Sequence, residues 1–278
     1  MITVNLFDNT FRQSVCSVAY KTPKYIRYVR GAIQHSGITL FVDGCATNGS
    51  AASVDSRFKI AWLHEPECLH PNVYRDIIHH EDEFDLILTH YQPLLDLSPK
   101  YDFCPYGGVW IDKGHWGMKH KTKLVSMLFG EKKATEGHRL RHEIYDRFSG
   151  SKVEWYGCRG RLTDYSQETK ETVLASYMFT IVTETCEADN LFTEILLDCF
   201  SQGTVPIFWG ARNIGEFFDP NSILHFETLD DLGEILDNIT PALYRQMMMG
   251  AQENLARIGD YEVTEDWMFE NILKGVYA

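Results

Sequence analysis

Short apolar runs alternate with polar, helix-compatible segments in the N-terminal part of the chain. The runs are ITVNLF, ITLFVDG, FKIAWLHEP and FDLILTH, and the polar stretch NVYRDIIHHEDE precedes the last of them. Buried strands separated by helical segments are typical of parallel sheets with crossover connections. The pattern therefore predicts an α/β unit with a parallel sheet in this region.

A second alternation follows a segment without either period. Between Tyr106 and Lys123 the sequence YGGVWIDKGHWGMKHKTK is rich in Gly and Lys, which indicates a linker or hinge. Strand-like runs then alternate with helix-like ones, and they are LVSMLF, TEGHRLRHEIYDRF, VEWYG, SQETKETVLASY, FTIVTE, FTEILLDCFSQGTVPIFWG and ILHF. Helical spacing continues to the C-terminus in TLDDLGEILDNI, PALYRQMMMGAQENLARI and TEDWMFENILKGVY.

This organisation predicts an α/β fold with two Rossmann-like domains that face a central cleft. We expect an N-terminal domain over residues 1–115, a second domain over 116–262, and a C-terminal helix over 263–278 that packs back across the cleft. Ligands of parallel sheets bind beyond the carboxyl ends of the strands. Candidate functional residues are therefore those just after the apolar runs, namely 64–66, 105–108, 183–185 and 209–210, together with the helix start TEGHRLRHEI.

Composition narrows the class of protein. A hydrophobic fraction of 44% and an aromatic fraction of 13% are typical of a globular protein, and the net charge of −13 argues against a nucleic-acid or anionic-lipid surface. The sequence lacks an apolar run of about 18 residues, and MITVNLFDNT lacks the pattern of a signal peptide. We therefore predict a cytoplasmic protein whose 7 scattered cysteines are reduced.

Metal and nicotinamide sites are not indicated. The spacing of the histidines near Cys68 matches none of the usual zinc patterns, and these histidines are His64, His70, His79 and His80. The chain has neither an Asp-x-Asp motif after a strand nor a G-x-G-x-x-G motif after the first strand of either half. We expect no metal and no cofactor.

The run IVTETCEADNLFTEILLDCFSQGTVPIFWG, together with three further segments, resembles the α1,3/4-fucosyltransferases of glycosyltransferase family 10. IVTETCEADNLFTEILLDCFSQGTVPIFWG, followed by NIGEFFDPNSILHF, is similar without gaps to the donor-domain signature of that family. AWLHEP and FDLILTHYQPLLDLSPKYDFCPYGG resemble acceptor-side segments, and GHRLRHEIYDRF resembles the helix with a nucleotide-binding Arg. The resemblance implies a GT-B type fold with a nucleotide-sugar donor in the second domain and an acceptor site on the first.

The resemblance also implies roles for individual residues. Glu65 is expected to act as general base, Arg141 to bind the donor pyrophosphate, and Glu184, Thr193 and Glu194 to contact the donor. The implied reaction is metal-independent, inverting transfer of fucose from GDP-fucose to a glycan hydroxyl. Structural alternatives exist for four of these residues: Glu65 as a turn cap, Arg141 as a partner of Glu136, and Thr193 and Glu194 as ordinary helix-start residues.

The sequence departs from the family at three donor positions. Leu191 replaces a Tyr, Ile195 replaces a Lys, and Thr185 replaces an Asn. A compensating cation is expected near the phosphates, and we favour Arg212 over Arg159 and Arg161 because it follows VPIFWG directly. The departures leave two alternatives open, namely a relative that uses another nucleotide sugar and a catalytically inactive module that binds a nucleotide sugar or glycan.

Overall fold

The computed structural model describes residues 1–11, 14–161 and 166–277, and it divides into two compact units. Unit 1 comprises Met1–Gly108 and Val263–Ala278, and unit 2 comprises Val109–Glu262. The domain limits taken from the sequence remain a prediction, because they concern acceptor and donor roles that the packing of the chain does not test.

Unit 1 is built on a six-stranded sheet in which every strand pair is parallel. The strand order is β2-β1-β3-β4-β5-β6. The strands are β1 (Ile2–Phe7), β2 (Ile26–Arg30), β3 (Gln34–Val42), β4 (Asp55–Trp62), β5 (Leu86–Thr89) and β6 (Tyr101–Phe103). Short helices connect them, and these are α1 (Gly44–Thr47), α2 (Pro71–Asp76) and α3 (Gln92–Leu95).

The central strands of unit 1 are buried on both faces of the sheet. Successive side chains of a strand point to opposite faces, so Leu40 and Ile60 belong to one apolar core while Phe41 and Ala61 belong to the other. All four side chains are inaccessible to solvent. Burial on both faces explains why these strands are continuous apolar runs in the sequence.

Unit 2 contains a second parallel sheet, which has five strands in the order β11-β10-β9-β7-β8. The strands are β7 (Lys123–Phe129), β8 (Glu154–Gly157), β9 (Tyr177–Thr183), β10 (Val205–Trp209) and β11 (Leu224–His225). The helices are α4 (Glu136–Phe148), α5 (Gln167–Ser176), α6 (Glu194–Ser201), α7 (Leu229–Asn238) and α8 (Pro241–Arg257).

Hydroxyl side chains define where the helices of unit 2 begin. Thr135 caps α4 in a capping box with His138, and Thr228 does the same for α7 with Asp231. Thr193 accepts a hydrogen bond from the main-chain N–H of Ile195 and caps α6. These caps satisfy amides that have no partner within their own helix.

The C-terminal segment packs on the sheet of unit 1. It consists of α9 (Thr264–Met268), a π-helical turn (Phe269–Leu273) and α10 (Lys274–Tyr277). Met268 and Leu273 are fully buried in the core that contains Val4 and Leu6 of β1. None of the helices in the described ranges is long and apolar enough to span a membrane.

Candidate active site

The connection between β9 and α6 brings together three of the residues singled out in the sequence. Glu184 directly follows β9 and is fully buried. Its two carboxylate oxygens accept hydrogen bonds from the main-chain N–H and the hydroxyl of Thr193, at 2.9 and 2.8 Å. Burial raises the pKa of Glu184 to about 7, although the bonds from Thr193 act in the opposite direction. Glu184 therefore holds the start of α6 in place.

Glu194 lies in the first turn of α6, where the helix dipole stabilises a carboxylate. Its side chain is 15% exposed, and its Oε1 lies 3.4 Å from Nζ of Lys170. A ligand hydroxyl at this position would meet a carboxylate that is mostly desolvated but already oriented by a cation. Such a carboxylate is suited to accepting hydrogen bonds from a sugar.

Lys170 is a buried cation that the sequence analysis missed. Its Nζ lies 3.0 Å from Oδ2 of Asp198 and 3.8 Å from the ring centroid of Trp110, and its side chain is 8% exposed. Burial alone would lower the pKa of Lys170, but the carboxylates of Asp198 and Glu194 raise it above the usual value. Helical spacing could have indicated that Lys170 is buried. Lys170 lies three and four residues before Val173 and Leu174, which are buried on the same face of the helix.

Arg141 is held at the end of β9 by two hydrogen bonds. Its Nε donates to the hydroxyl of Thr183 at 2.8 Å, and its Nη2 donates to the carbonyl of Thr183 at 2.6 Å. Helix α4 reaches this point because Gly137 packs directly on the main chain of Glu184, where a Cβ would lie 1.8 Å from the carbonyl oxygen. The guanidinium of Arg141 and the carboxylate of Glu184 are thus brought to the same edge of the sheet.

Arg212 follows β10, and its side chain is 64% exposed and paired with Glu187. Gly210, two residues earlier, packs so closely on Glu184 that a Cβ would lie 2.8 Å from Cγ of that residue. The other two candidate cations, Arg159 and Arg161, form ion pairs with Asp146 and Glu154. All three arginines therefore already have acidic partners, and the compensating role of Arg212 stays a prediction.

The three departures from the family pattern are also visible in the packing. Leu191 is fully buried, and Ile195 packs against the apolar core of unit 2 that contains Phe192 and Leu196. The hydroxyl of Thr185 is buried without a hydrogen-bond partner. Residues 191 and 195 thus contribute apolar packing where the family pattern has Tyr and Lys.

In unit 1, Glu65 follows β4 and is half-buried. Its main-chain N–H and that of His64 donate to Oδ1 of Asp43, at 3.1 and 2.8 Å. His64 stacks on Tyr106 with ring centroids 4.4 Å apart, and burial lowers the pKa of its imidazole to about 3. Asp43 is a second residue that the sequence analysis missed, although its place directly after the run ITLFV was a usable signal.

The part of the chain that the structure describes contains no cluster of metal-binding side chains. There, no group of three or more His, Cys, Asp or Glu side chains is placed to hold a metal ion. Four of the seven cysteines are buried thiols, and these are Cys16, Cys45, Cys104 and Cys199.

Comparison with known structures supports the fold class. The chain is similar to an α1,3-fucosyltransferase solved with GDP-fucose, with a TM-score of 0.57 and 13% identity over 97% of this chain and 90% of that one. It is also similar to HepE from Anabaena solved with UDP and glucose, with a TM-score of 0.63 and 12% identity over 86% and 78% of the two chains. These likenesses confirm the predicted α/β fold of the GT-B type, which is a fold of glycosyltransferases.

Part of the chain also matches a family model and a curated relative. Residues 118–246 match the model for the C-terminal region of glycosyltransferase family 10 (fucosyltransferase), which confirms the resemblance found in the sequence. Over 101 residues the chain is 26% identical to the α-(1,3)-fucosyltransferase FucT of Helicobacter pylori. That stretch is 36% of this chain and 21% of the length of FucT. The matched region contains Arg141, Glu184, Thr193, Glu194 and Arg212, whereas Glu65 lies outside it.

Proposed function

We propose that the chain transfers fucose from GDP-fucose to a glycan hydroxyl, with inversion at the anomeric carbon and without a metal ion. The observation that carries the proposal is the edge formed by β9 and α6, where Arg141, Glu184 and Glu194 lie within the family-matched region. Parallel sheets bind their ligands at this edge. A guanidinium and a helix start are groups that bind diphosphates and sugar hydroxyls.

In the proposed mechanism, Arg141 binds the pyrophosphate and stabilises the negative charge that develops on GDP as it leaves. Glu194 accepts hydrogen bonds from sugar hydroxyls, while Glu184 and Thr193 fix the start of the helix and contribute to the donor site. Arg212 is proposed as a further cation near the phosphates. Electrostatic stabilisation of a leaving diphosphate is expected to be a large part of the catalysis.

Glu65 is the proposed general base. It removes the proton from the acceptor hydroxyl as the oxygen forms a bond to the anomeric carbon and the bond from that carbon to the phosphate oxygen breaks. The place of Glu65 beyond the carboxyl end of β4 supports this role, because functional groups of parallel sheets gather at the strand ends.

A second candidate is a module that binds a nucleotide sugar without turning it over. Leu191 and Ile195 favour it, because apolar packing at these positions removes two polar donor contacts of the family pattern. A relative that uses another nucleotide sugar is a third alternative, and the similar fold of a protein solved with UDP and glucose gives it a specific test compound.

The experiment is a thermal-shift panel of GDP, GDP-fucose, UDP and UDP-glucose, combined with measurement of nucleotide release from each sugar. The proposal predicts stabilisation by GDP and GDP-fucose together with GDP release. Stabilisation without release would support the binding module. Stabilisation by the uridine nucleotides alone would overturn the choice of donor.

A further inference from the structure

Two buried side chains form hydrogen bonds with the main chain of Glu65, one with its N–H and the other with its carbonyl. Oδ1 of Asp43 accepts the N–H of Glu65 at 3.1 Å, and the hydroxyl of Tyr74 donates to the carbonyl of Glu65 at 2.8 Å. Asp43 is 1% exposed and Tyr74 is 4% exposed. The two residues come from different places in the chain, since Asp43 follows β3 and Tyr74 belongs to α2.

Asp43 makes this contact from a strained main chain. Its φ is 46° and its ψ is −119°, a conformation that a residue with a side chain rarely adopts. Such strain costs on the order of 1–3 kcal/mol and persists only where the surrounding structure holds the residue in place. The surrounding structure therefore holds Asp43 in this conformation.

The carboxylate of Asp43 is bound by neutral donors. Besides Glu65 these are the N–H of His64 and the hydroxyl of Thr10, each at 2.8 Å. Burial raises the pKa of Asp43 to about 6, against the effect of the hydrogen bonds from Thr10, His64 and Glu65. A desolvated carboxylate on a strained main chain contributes little to stability, yet it fixes two consecutive peptide groups.

We propose that Asp43 and Tyr74 are positioning residues that fix the main chain of Glu65, so that its carboxylate meets the acceptor hydroxyl in one orientation. This inference rests on the proposed role of Glu65 as general base. A base must lie within hydrogen-bond reach of the proton that it removes, and small displacements of a catalytic group reduce the rate steeply. The peptide groups on both sides of the Glu65 side chain are the natural place to control that distance.

The test compares positioning variants in two backgrounds. Asp43→Ala and Tyr74→Phe are made in the parent chain and in Glu65→Gln, and GDP release from GDP-fucose is measured with water as acceptor. We expect release about tenfold slower for Asp43→Ala and several-fold slower for Tyr74→Phe in the parent, with unchanged affinity for GDP-fucose. In the Glu65→Gln background neither change should slow release further, because the group that they position is absent.

Two matched variants separate positioning from loss of stability. Thr10→Val removes a hydrogen bond to Asp43 but leaves both contacts to the peptide groups of Glu65, so its release rate should equal that of the parent. Asp43→Asn keeps an oxygen that accepts the same two N–H groups, so it should restore most of the rate lost in Asp43→Ala.

The outcomes distinguish this inference from the proposed function. If Asp43→Ala and Tyr74→Phe slow release equally in both backgrounds, their role is only structural and the inference is wrong. If Glu65→Gln alone leaves release unchanged, the general-base assignment fails and the inference fails with it.

A measurement independent of activity is amide hydrogen exchange. Asp43→Ala should accelerate exchange at His64 and Glu65 but not at β5, and unchanged exchange at these two amides would also overturn the inference.

Discussion

Asp43 of unit 1 and Asp198 of unit 2 are buried to the same extent and make the same main-chain contacts. Each is 1% exposed, and each uses Oδ1 to accept two consecutive N–H groups, those of His64 and Glu65 for Asp43 and those of Trp110 and Ile111 for Asp198. They differ at Oδ2. Asp43 meets the hydroxyl of Thr10 there, and Asp198 meets the ammonium of Lys170.

The difference shows that a buried Asp that binds two consecutive main-chain N–H groups can have two different roles. Among the residues that the structure describes, no cation hydrogen-bonds to Asp43, and burial raises the pKa of its carboxyl to about 6. In unit 2 the cation belongs to a network that continues from Asp198 to Glu194 at the start of α6. We infer that Asp43 acts through geometry, whereas Asp198 and Lys170 also determine the electrostatics of the proposed donor side.

The largest loss of turnover is expected when Glu65 is replaced, because Glu65 of unit 1 is the proposed base whereas unit 2 is proposed to provide the donor contacts. Glu65→Gln should lower turnover by roughly 10²- to 10⁴-fold while the affinity for GDP-fucose stays nearly unchanged. Calorimetric titration of the donor and measurement of GDP release check the two parts. A parallel loss of affinity and rate would instead indicate a structural role for Glu65.

The second prediction concerns the cation in unit 2. Lys170→Met should lower the free energy of unfolding by about 3 kcal/mol or more, because it leaves the buried carboxylate of Asp198 without its ammonium partner. Urea unfolding measures the loss. The double variant Lys170→Met/Asp198→Asn is the control and should recover most of the stability, since it removes both charges. Equal instability of the single and double variants would show that the pair is not the cause.

The third prediction concerns the affinity of unit 2 for GDP. Arg141→Ala should weaken GDP binding by roughly 1.5–3 kcal/mol, because a charged hydrogen-bond donor to the diphosphate is lost. Arg139→Ala is a suitable control, since Arg139 lies on the same helix and donates to the carbonyl of Ala134. If both variants bind GDP like the parent, Arg141 is not part of the donor site.

The smallest effect on turnover is expected for Asp43→Asn, because its side chain keeps an oxygen that accepts the same two N–H groups. The change should appear mainly in the pH dependence of the free energy of unfolding. The folded chain holds the proton of Asp43 more tightly than the unfolded chain, because burial raises the pKa of this carboxyl from an ordinary value of 3.8 to about 6. The contribution of Asp43 to stability is therefore complete below pH 3.8 and is lost as the pH rises through 6. Unfolding followed from pH 4 to pH 7 should show a shallower decline for Asp43→Asn than for the parent.

Much of the fold could be predicted because both sheets are buried on two faces. Strands such as β4 and β10 are continuous apolar runs, and helices α4 and α7 begin at capping residues that the sequence displays. Strand β2 was not predicted, because it lies at the edge of its sheet and only Ile26 of its five residues is buried. Strand β2 therefore has no apolar run that could reveal it in the sequence.

The residues of the candidate site could be predicted only where neighbouring positions in the sequence form a recognisable local motif. Thr193 and Glu194 are neighbours at a helix start, and their placement follows from local sequence. The contacts of Asp43 with Glu65 and of Lys170 with Asp198 join residues 22 and 28 positions apart, so they depend on strand order and helix packing. A single sequence gives no signal for such pairs beyond a charged residue on an apolar face.

The most direct test of the proposed function is proton NMR of the reaction of GDP-fucose with the intact chain. The reaction is followed from the first turnover, with water as acceptor. The proposed mechanism predicts that GDP and free fucose appear together, and that the first fucose formed has the anomeric configuration opposite to that of the donor. Fucose formed with the configuration of the donor would contradict the inverting mechanism. Unchanged GDP-fucose, in a sample where thermal shift shows that it is bound, would contradict the assignment as a fucosyltransferase.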